Sequence, residues 1–162
     1  MTHSVIARRL IDGVLYEIDT AKDRLNIGAI HHFLAHCSHW ARGIPREVVE
    51  RSIANSLCFG LYRDGAQIGF ARVISDEATF AHLADVFVVG EYRNAGLGRF
   101  LVESIQAHEP LQGLRRWLLV TRDAASLYRR CGFSDLAGSC AYLERFDPEV
   151  YQPAASEKAA AD

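Results

Sequence analysis

The amino-acid sequence predicts a mixed α/β domain in which helices flank a mainly antiparallel sheet, and three observations carry that prediction. Two β-rich runs, Ser56 to Arg63 and Gln67 to Ile74, meet at Asp64-Gly65, a dipeptide that supplies the positive φ angles of a tight hairpin. An apolar run from Thr79 to Val89 leads into a glycine turn and an amphipathic helix, and a further strand follows at Trp117 to Thr121. Those two strands should be neighbours joined by a right-handed crossover. Finally, 162 residues with 49% apolar and 23% charged side chains suit one packed core.

Taken in order, Gly13 to Asp19 alternates well enough for a first strand, and Asp23 is placed to cap a helix in which Leu25, Ile30, Phe33 and Leu34 share a face. Periodicity breaks from His36 to Ile44, and Pro45 suits the opening turn of a second helix over Arg46 to Asn55. Beyond the hairpin and the apolar strand, Leu97, Phe100, Leu101, Ser104 and Ile105 mark the buried face of a third helix, which Pro110 ends. Asp123 is expected to cap a last helix over Ala124 to Cys131, with Gly132 at its C′ position, and Cys140 to Phe146 to add a closing strand. The element order is then β-α-α-β-β-β-α-β-α-β. The domain is expected over residues 1–150, with a flexible tail over 151–162 whose small and charged residues offer nothing to anchor it.

Composition excludes several classes of function. No run approaches the roughly 20 apolar residues of a membrane span, and no apolar leader follows Met1 to Arg9. A soluble, cytoplasmic protein without a membrane partner is the expectation. The net charge is −2, and Lys22 and Lys158 are the only lysines, so there is no basic stripe for nucleic acid. Cys37, Cys58, Cys131 and Cys140 include no Cys-x-x-Cys pair and read as free thiols. His31, His32, His36 and His39 beside Cys37 invite a metal reading, yet no third ligand has the right spacing, and no metal is expected. Phe33, His39 and Trp40 in the same region fit an aromatic wall for a small amine or amino-acid-like acceptor, or equally a homodimer contact.

The stretch from Asp85 to Arg99 holds the main functional signal. A strand, a glycine-rich turn and a helix start converge backbone N–H groups and the positive end of the helix dipole on one point, with Arg93 and Arg99 flanking it. Glycines at 96 and 98 let the backbone approach an anion closely. A P-loop would need a lysine and a hydroxyl that are absent, and a dinucleotide fingerprint would need Gly or Ala where Leu101 stands. Two further residues carry chemistry. Asp85, between Ala84 and Val86 in an apolar strand, is either a structural partner of an arginine or a general base or ammonium anchor. Tyr128 is either a core aromatic or a phenol able to donate a proton. Cys131 follows two arginines without an evident base partner, so it is not expected to act as a nucleophile.

Arg93-x-x-Gly96-x-Gly98 after an apolar strand, together with Tyr128 ahead of Gly132-Phe133, resembles the GNAT superfamily of acyl-CoA-dependent N-acetyltransferases over roughly Val14 to Phe146. The resemblance implies a single-domain GNAT-type sheet and acetyl-CoA as co-substrate. It implies that Arg93, Asn94, Ala95, Gly96, Leu97, Gly98 and Arg99 hold the pyrophosphate, with Ser126 as a further coenzyme contact. Phe87, Val88 and Val89 would lie along pantetheine and the acetyl carbonyl, with the Val88 N–H as a donor to the carbonyl oxygen. Tyr128 would be the general acid. Gly90 stands where the family often has proline, and Asp123 where it usually has asparagine. The expected reaction is acetyl transfer to a primary amine of a small molecule by direct attack. The rivals are a protein amine as acceptor, a longer acyl donor, and a non-catalytic acyl-CoA-binding domain.

Overall fold

The computed structural model describes residues 4–138 and 140–152. It divides into two compact units, one of Met1–Asn26 with Arg51–Asp135 and the other of Ile27–Glu50 with Leu136–Asp162. Each is taken by itself.

The first unit is built on a six-stranded sheet in sequential order: β1 (Val5–Ile11), β2 (Val14–Asp19), β3 (Leu57–Arg63), β4 (Ala66–Ser75), β5 (Phe80–Val88) and β6 (Arg116–Leu118). Neighbours are antiparallel from β1 to β5, and β6 runs parallel to β5. The fold class is therefore as expected, and so is the pairing of the strand before the glycine turn with the strand at Trp117. β1 is an addition that the sequence reading missed. It pairs with β2 through a turn in which Asp12 and Gly13 both have positive φ, 50° and 78°, the geometry that suits a two-residue hairpin. Asp64 and Gly65 repeat it between β3 and β4 at 45° and 85°.

One sheet face carries the core. Phe59, Leu61, Ile68, Val73 and Leu83 meet Leu97, Phe100, Leu101 and Ile105 of α3 (Leu97–Gln106), all nearly or fully buried. At about 25 cal/mol per Å² of apolar surface, each large side chain contributes about 2 kcal/mol. That burial fixes α3 on the sheet, and with it the turn that precedes the helix.

Three expectations are corrected. Asp23 does not cap a helix: Lys22–Arg24 form an isolated 3₁₀ turn, shaped by the Asp19 carboxylate, which accepts from the Ala21 N–H at 2.8 Å and pairs with Arg24. Asp123 is not a cap either: the last helix, α4, covers Ala125–Arg130 with Ala124 at its N-cap and no side-chain cap, while the Thr121 hydroxyl oxygen accepts from the Ala124 N–H at 3.1 Å. The Cys140 to Phe146 strand is absent from the sheet. β6 is only three residues long and offers little edge to extend, while Leu143 and Phe146 are 93% and 70% exposed.

In the second unit, α1 (Ile27–His32) passes into a π-helical turn, Phe33–Cys37, closed by the Ser38 N–H donating to the Phe33 carbonyl at 2.9 Å. The wider turn explains why the apolar spacing fails there. Helix α2 (Arg46–Ala54) follows Pro45 as expected, and the chain passes from the second unit to the first within it, between Glu50 and Arg51. The expected tail falls from residue 153 onward outside the described residues. No described helix is long and apolar enough to cross a membrane.

Candidate active site

β5 is where the sheet opens. Its ladder with β6 covers only Phe80, Ala81 and His82, so the same edge from Leu83 to Val88 has no strand beside it among the described residues. On the β4 side, Val88 faces Gly69 and Phe87 faces Phe70, while the Val89 N–H donates to the Ile68 carbonyl at 2.8 Å. Antiparallel hydrogen bonding alternates along a strand, so the N–H and C=O of Val88 point away from β4 toward the open edge. The Val88 carbonyl is taken by Arg93 Nε at 3.0 Å, and its N–H faces the same opening.

A bulge shapes the strand just before that point. Asp85 and Val86 stand opposite the single residue Ala71, and Asp85 has φ of +54°. Asp is among the few non-glycine residues that tolerate the left-handed region. Such bulges re-aim side chains beside functional sites. The Asp85 carboxylate meets Arg72 Nε at 2.9 Å, and the Arg72 guanidinium also donates to the Ser56 hydroxyl at 3.0 Å. This mostly buried ion pair matches the structural alternative raised for Asp85. Arg72 carried a sequence signal that went unread, a cation between Ala71 and Val73 in a β-rich run.

The turn after β5 delivers the chain to α3. Gly90–Tyr92 form a 3₁₀ turn, Asn94 has φ of +65°, and Gly96, at +74°, is the N-cap of α3. No side chain caps this helix, which leaves the donors of its first turn available to an anion. Asn94, Ala95 and Gly96 are exposed, and a methyl added at Gly96 would meet nothing within 4 Å. The two flanking arginines are otherwise engaged: Arg93 on the Val88 carbonyl, and Arg99 with Glu103 at 2.6 Å. The turn thus presents backbone amides, with the remaining guanidinium N–H groups of the exposed Arg93 and Arg99 beside them.

Helix α4 lies against the same opening. A methyl at Gly98 would rest 3.5 Å from Leu127 Cδ2, the residue before Tyr128. Ser126 is exposed on the first turn of α4, and Tyr128 packs on the core cluster that contains Val88. Burial pushes the Tyr128 phenol up to about 12, with smaller contributions from Cys131 and Asp123. Burial likewise raises the Cys131 thiol, assisted by Glu103. The thiol is therefore a poor nucleophile, and the phenol keeps its proton at neutral pH.

In the second unit, Phe33, His39 and Trp40 do come together. The Trp40 ring lies 6.3 Å from Phe33 and 5.1 Å from His39, with Trp40 45% exposed. The His32 and His36 rings lie 5.1 Å apart at a tilt of 48°, and His31 Nε2 contacts the Ile44 carbonyl at 3.0 Å. No group of three or more metal-ligating side chains occurs among the described residues.

A family model for the acetyltransferase (GNAT) domain matches residues 54–135, which spans β3 to α4 and so every part of the opening just described. The chain belongs to the GNAT acetyltransferase family. A candidate acetyltransferase from Gibberella zeae is 30% identical to this GNAT protein over 143 residues, covering 74% of this chain and 80% of the relative. The crystal structure of a candidate GNAT acetyltransferase from Xanthomonas campestris is 46% identical, with a TM-score of 0.82 over 85% of this chain and 97% of the other. The Escherichia coli ribosomal-protein-S18-alanine N-acetyltransferase is 22% identical with a TM-score of 0.62, over 75% and 79% of the two chains, and shares the fold. As a GNAT protein the chain is an acetyltransferase, and its open β5 edge sits where the family match lies.

Proposed function

We propose that this GNAT protein transfers the acetyl group of acetyl-CoA to the primary amine of a small molecule by direct attack. The observation that carries the reading is the β5 edge that extends past its short ladder with β6 and ends at Val88, whose N–H points away from β4, followed at once by a helix N-terminus without a side-chain cap. The first can hold an extended pantetheine arm by strand-like hydrogen bonds, and the second its pyrophosphate. Residues 93–99 supply the amides of the anion site. Phe87 to Val89 line the arm, Ser126 stands on the adjoining helix turn, and the Val88 N–H donates to the thioester oxygen.

The amine nitrogen attacks the thioester carbonyl, forming a C–N bond and a tetrahedral intermediate whose negative oxygen the Val88 N–H stabilises. Collapse breaks the C–S bond, and the sulfur leaves with the proton of the Tyr128 phenol. The proton lost by the amine passes to Asp85, directly or through water, and solvent exchange restores both groups. The products are an N-acetyl amide and free coenzyme A. Asp85 also suits the role of anchor for the incoming ammonium, because its charge sits at a bulge beside the reacting edge.

The test is coenzyme A release from acetyl-CoA across a panel of small primary amines and peptide N-termini, with products identified by mass spectrometry. Acetylated small amines are the expected result. Tight acetyl-CoA binding with no turnover on any amine would instead identify a binding module, and turnover confined to peptides would move the acceptor to protein.

A further inference from the structure

The face of the sheet opposite α3 carries a hydroxyl that the reaction above does not use. Asp19, Gly60, Phe70 and Phe87 are successive cross-strand partners on β2, β3, β4 and β5, so they form one row on one face. Tyr62 lies two residues along β3 from Gly60 on that same face, and its ring folds back over the glycine. A methyl at Gly60 would sit 2.5 Å from the Tyr62 hydroxyl and 2.7 Å from Cζ. The ring's partner on the other side is the Arg24 guanidinium, 4.1 Å from its centroid, which is itself held by Asp19.

Tyr62 is 2% exposed, and its hydroxyl has no hydrogen-bond partner among the described residues. Burial raises the phenol to about 12, so the group is a neutral donor and acceptor. A buried hydroxyl left without a partner destabilises a fold by roughly 1–3 kcal/mol. Phenylalanine would fill the same space without that cost, so the oxygen calls for another reason to be there. Its position suggests one. β4 alone separates Gly60 from Phe87, which puts the hydroxyl about two strand spacings, or about 10 Å, from the residue that lines the donor edge. The Arg72–Asp85 pair lies on the neighbouring row, through Arg72 opposite Cys58 and Ala84.

We infer that the Tyr62 hydroxyl recognises the acceptor, and that the acceptor is a small amine bearing a second oxygen, in a hydroxyl, carbonyl or carboxylate, remote from its reacting nitrogen. This rests on the acetyl-transfer reading. The amine end is drawn to Asp85 beside the thioester, and the far oxygen completes the Tyr62 hydrogen bond. Because the hydroxyl is sealed from bulk solvent, the acceptor reaches it by displacing a covering side chain. Arg24, which lies across the ring with its side chain 34% exposed, is such a side chain.

The experiment compares wild type with Tyr62→Phe in coenzyme A release, using simple alkyl monoamines and amines of similar length that carry a terminal hydroxyl or carboxylate. Acetyl-CoA affinity and the melting temperature of the free protein are measured alongside. Wild type should favour the oxygen-bearing amines. In Tyr62→Phe their KM should rise about tenfold toward that of the monoamines, while acetyl-CoA affinity holds and the free protein melts no lower than wild type. Equal acceptor KM values in the two proteins, or a lower melting temperature for Tyr62→Phe with no change in preference, would overturn this inference and leave acetyl transfer standing. Absence of turnover by wild type on every amine would overturn both.

Discussion

Tyr128 and Phe133 are joined twice. The Phe133 N–H donates to the Tyr128 carbonyl at 3.0 Å, and the two rings meet edge to face at 6.0 Å. With the Gly132 N–H donating to the Arg129 carbonyl at 3.1 Å, these bonds form the double closure of a Schellman motif, its hydrophobic contact included. A tyrosine ahead of a Gly-Phe pair is thus one mechanical unit. Gly132, at φ +90°, turns the chain, and Phe133 returns to hold the Tyr128 ring.

Gly132→Ala should therefore cost both stability and rate. A Cβ in the left-handed region costs about 1–2 kcal/mol, which corresponds to a fall of about 2–4 °C in melting temperature per kcal/mol for a protein of this size. Because the strain falls at the end of α4, kcat should drop while acetyl-CoA affinity stays close to wild type. Thermal unfolding and steady-state kinetics on one preparation check both parts.

Tyr128→Phe should lower kcat by about 100-fold, the lower end of the range for a lost general acid. The pH dependence follows from the raised phenol. Its pKa of about 12 in the folded protein stands above the ordinary value of about 10. The folded state therefore holds this proton more tightly than the unfolded chain does. The stabilisation is complete below about pH 10 and is lost as the pH rises toward about 12. Wild-type stability should decline across that window more steeply than that of Tyr128→Phe. Denaturant titrations at pH 9 to 12 would show it. Below pH 10 the rate should show no loss from phenol ionisation.

What the sequence made legible was whatever rests on short-range pattern. Asp64-Gly65, the helix face of Leu97 to Ile105 and Gly132 at the C′ position of the last helix are local, and each formed as read. β1 was missed because Val5-Ile-Ala-Arg-Arg-Leu-Ile does not alternate, and its pairing with β2 depends on a hairpin rather than on its own composition. The Asp123 and Asp23 caps failed for separate reasons: α4 starts one residue later than read, with Ala124 at its N-cap, and after the 3₁₀ turn at Lys22–Arg24 the Asn26 N–H that Asp23 would have capped donates to Gln67 Oε1 at 2.7 Å. The partners of Arg72 and Tyr62 emerged only from register, since what a strand residue faces is set by a partner far off in the chain. The closing strand at Cys140 to Phe146 failed on tertiary grounds, the shortness of β6.

Asp85→Asn separates the two roles of that carboxylate. Asparagine tolerates the positive φ, so the bulge should persist, but Arg72 loses its ion-pair partner with only 15% of its side chain exposed. Breaking a buried pair in this way costs about 3–5 kcal/mol, and replacing Arg72 by Met in the same chain should recover part of the loss. If the carboxylate also receives the ammonium or its proton, acceptor KM rises and the acid limb of the kcat/KM profile shifts relative to wild type. Superimposable pH profiles would confine Asp85 to structure.

Gly98→Asp gives opposite signs for stability and binding, which makes it the sharpest test of the glycine turn. Position 98 is the second residue of α3, its φ is not in the left-handed region, and a Cβ there meets only Leu127 Cδ2 at 3.5 Å. A carboxylate in the first turn of a helix is stabilising by about 0.3–1 kcal/mol through the dipole and the free amides. The ligand-free variant should therefore melt at or slightly above the wild-type temperature. The same carboxylate occupies the amides proposed for the coenzyme A pyrophosphate and repels its charge. Acetyl-CoA affinity should weaken at least tenfold, and the loss should diminish as salt is raised. Calorimetric titration of acetyl-CoA into the two proteins at low and high ionic strength reads both effects. Undiminished affinity in a stably folded Gly98→Asp protein would place the anion elsewhere than at the start of α3.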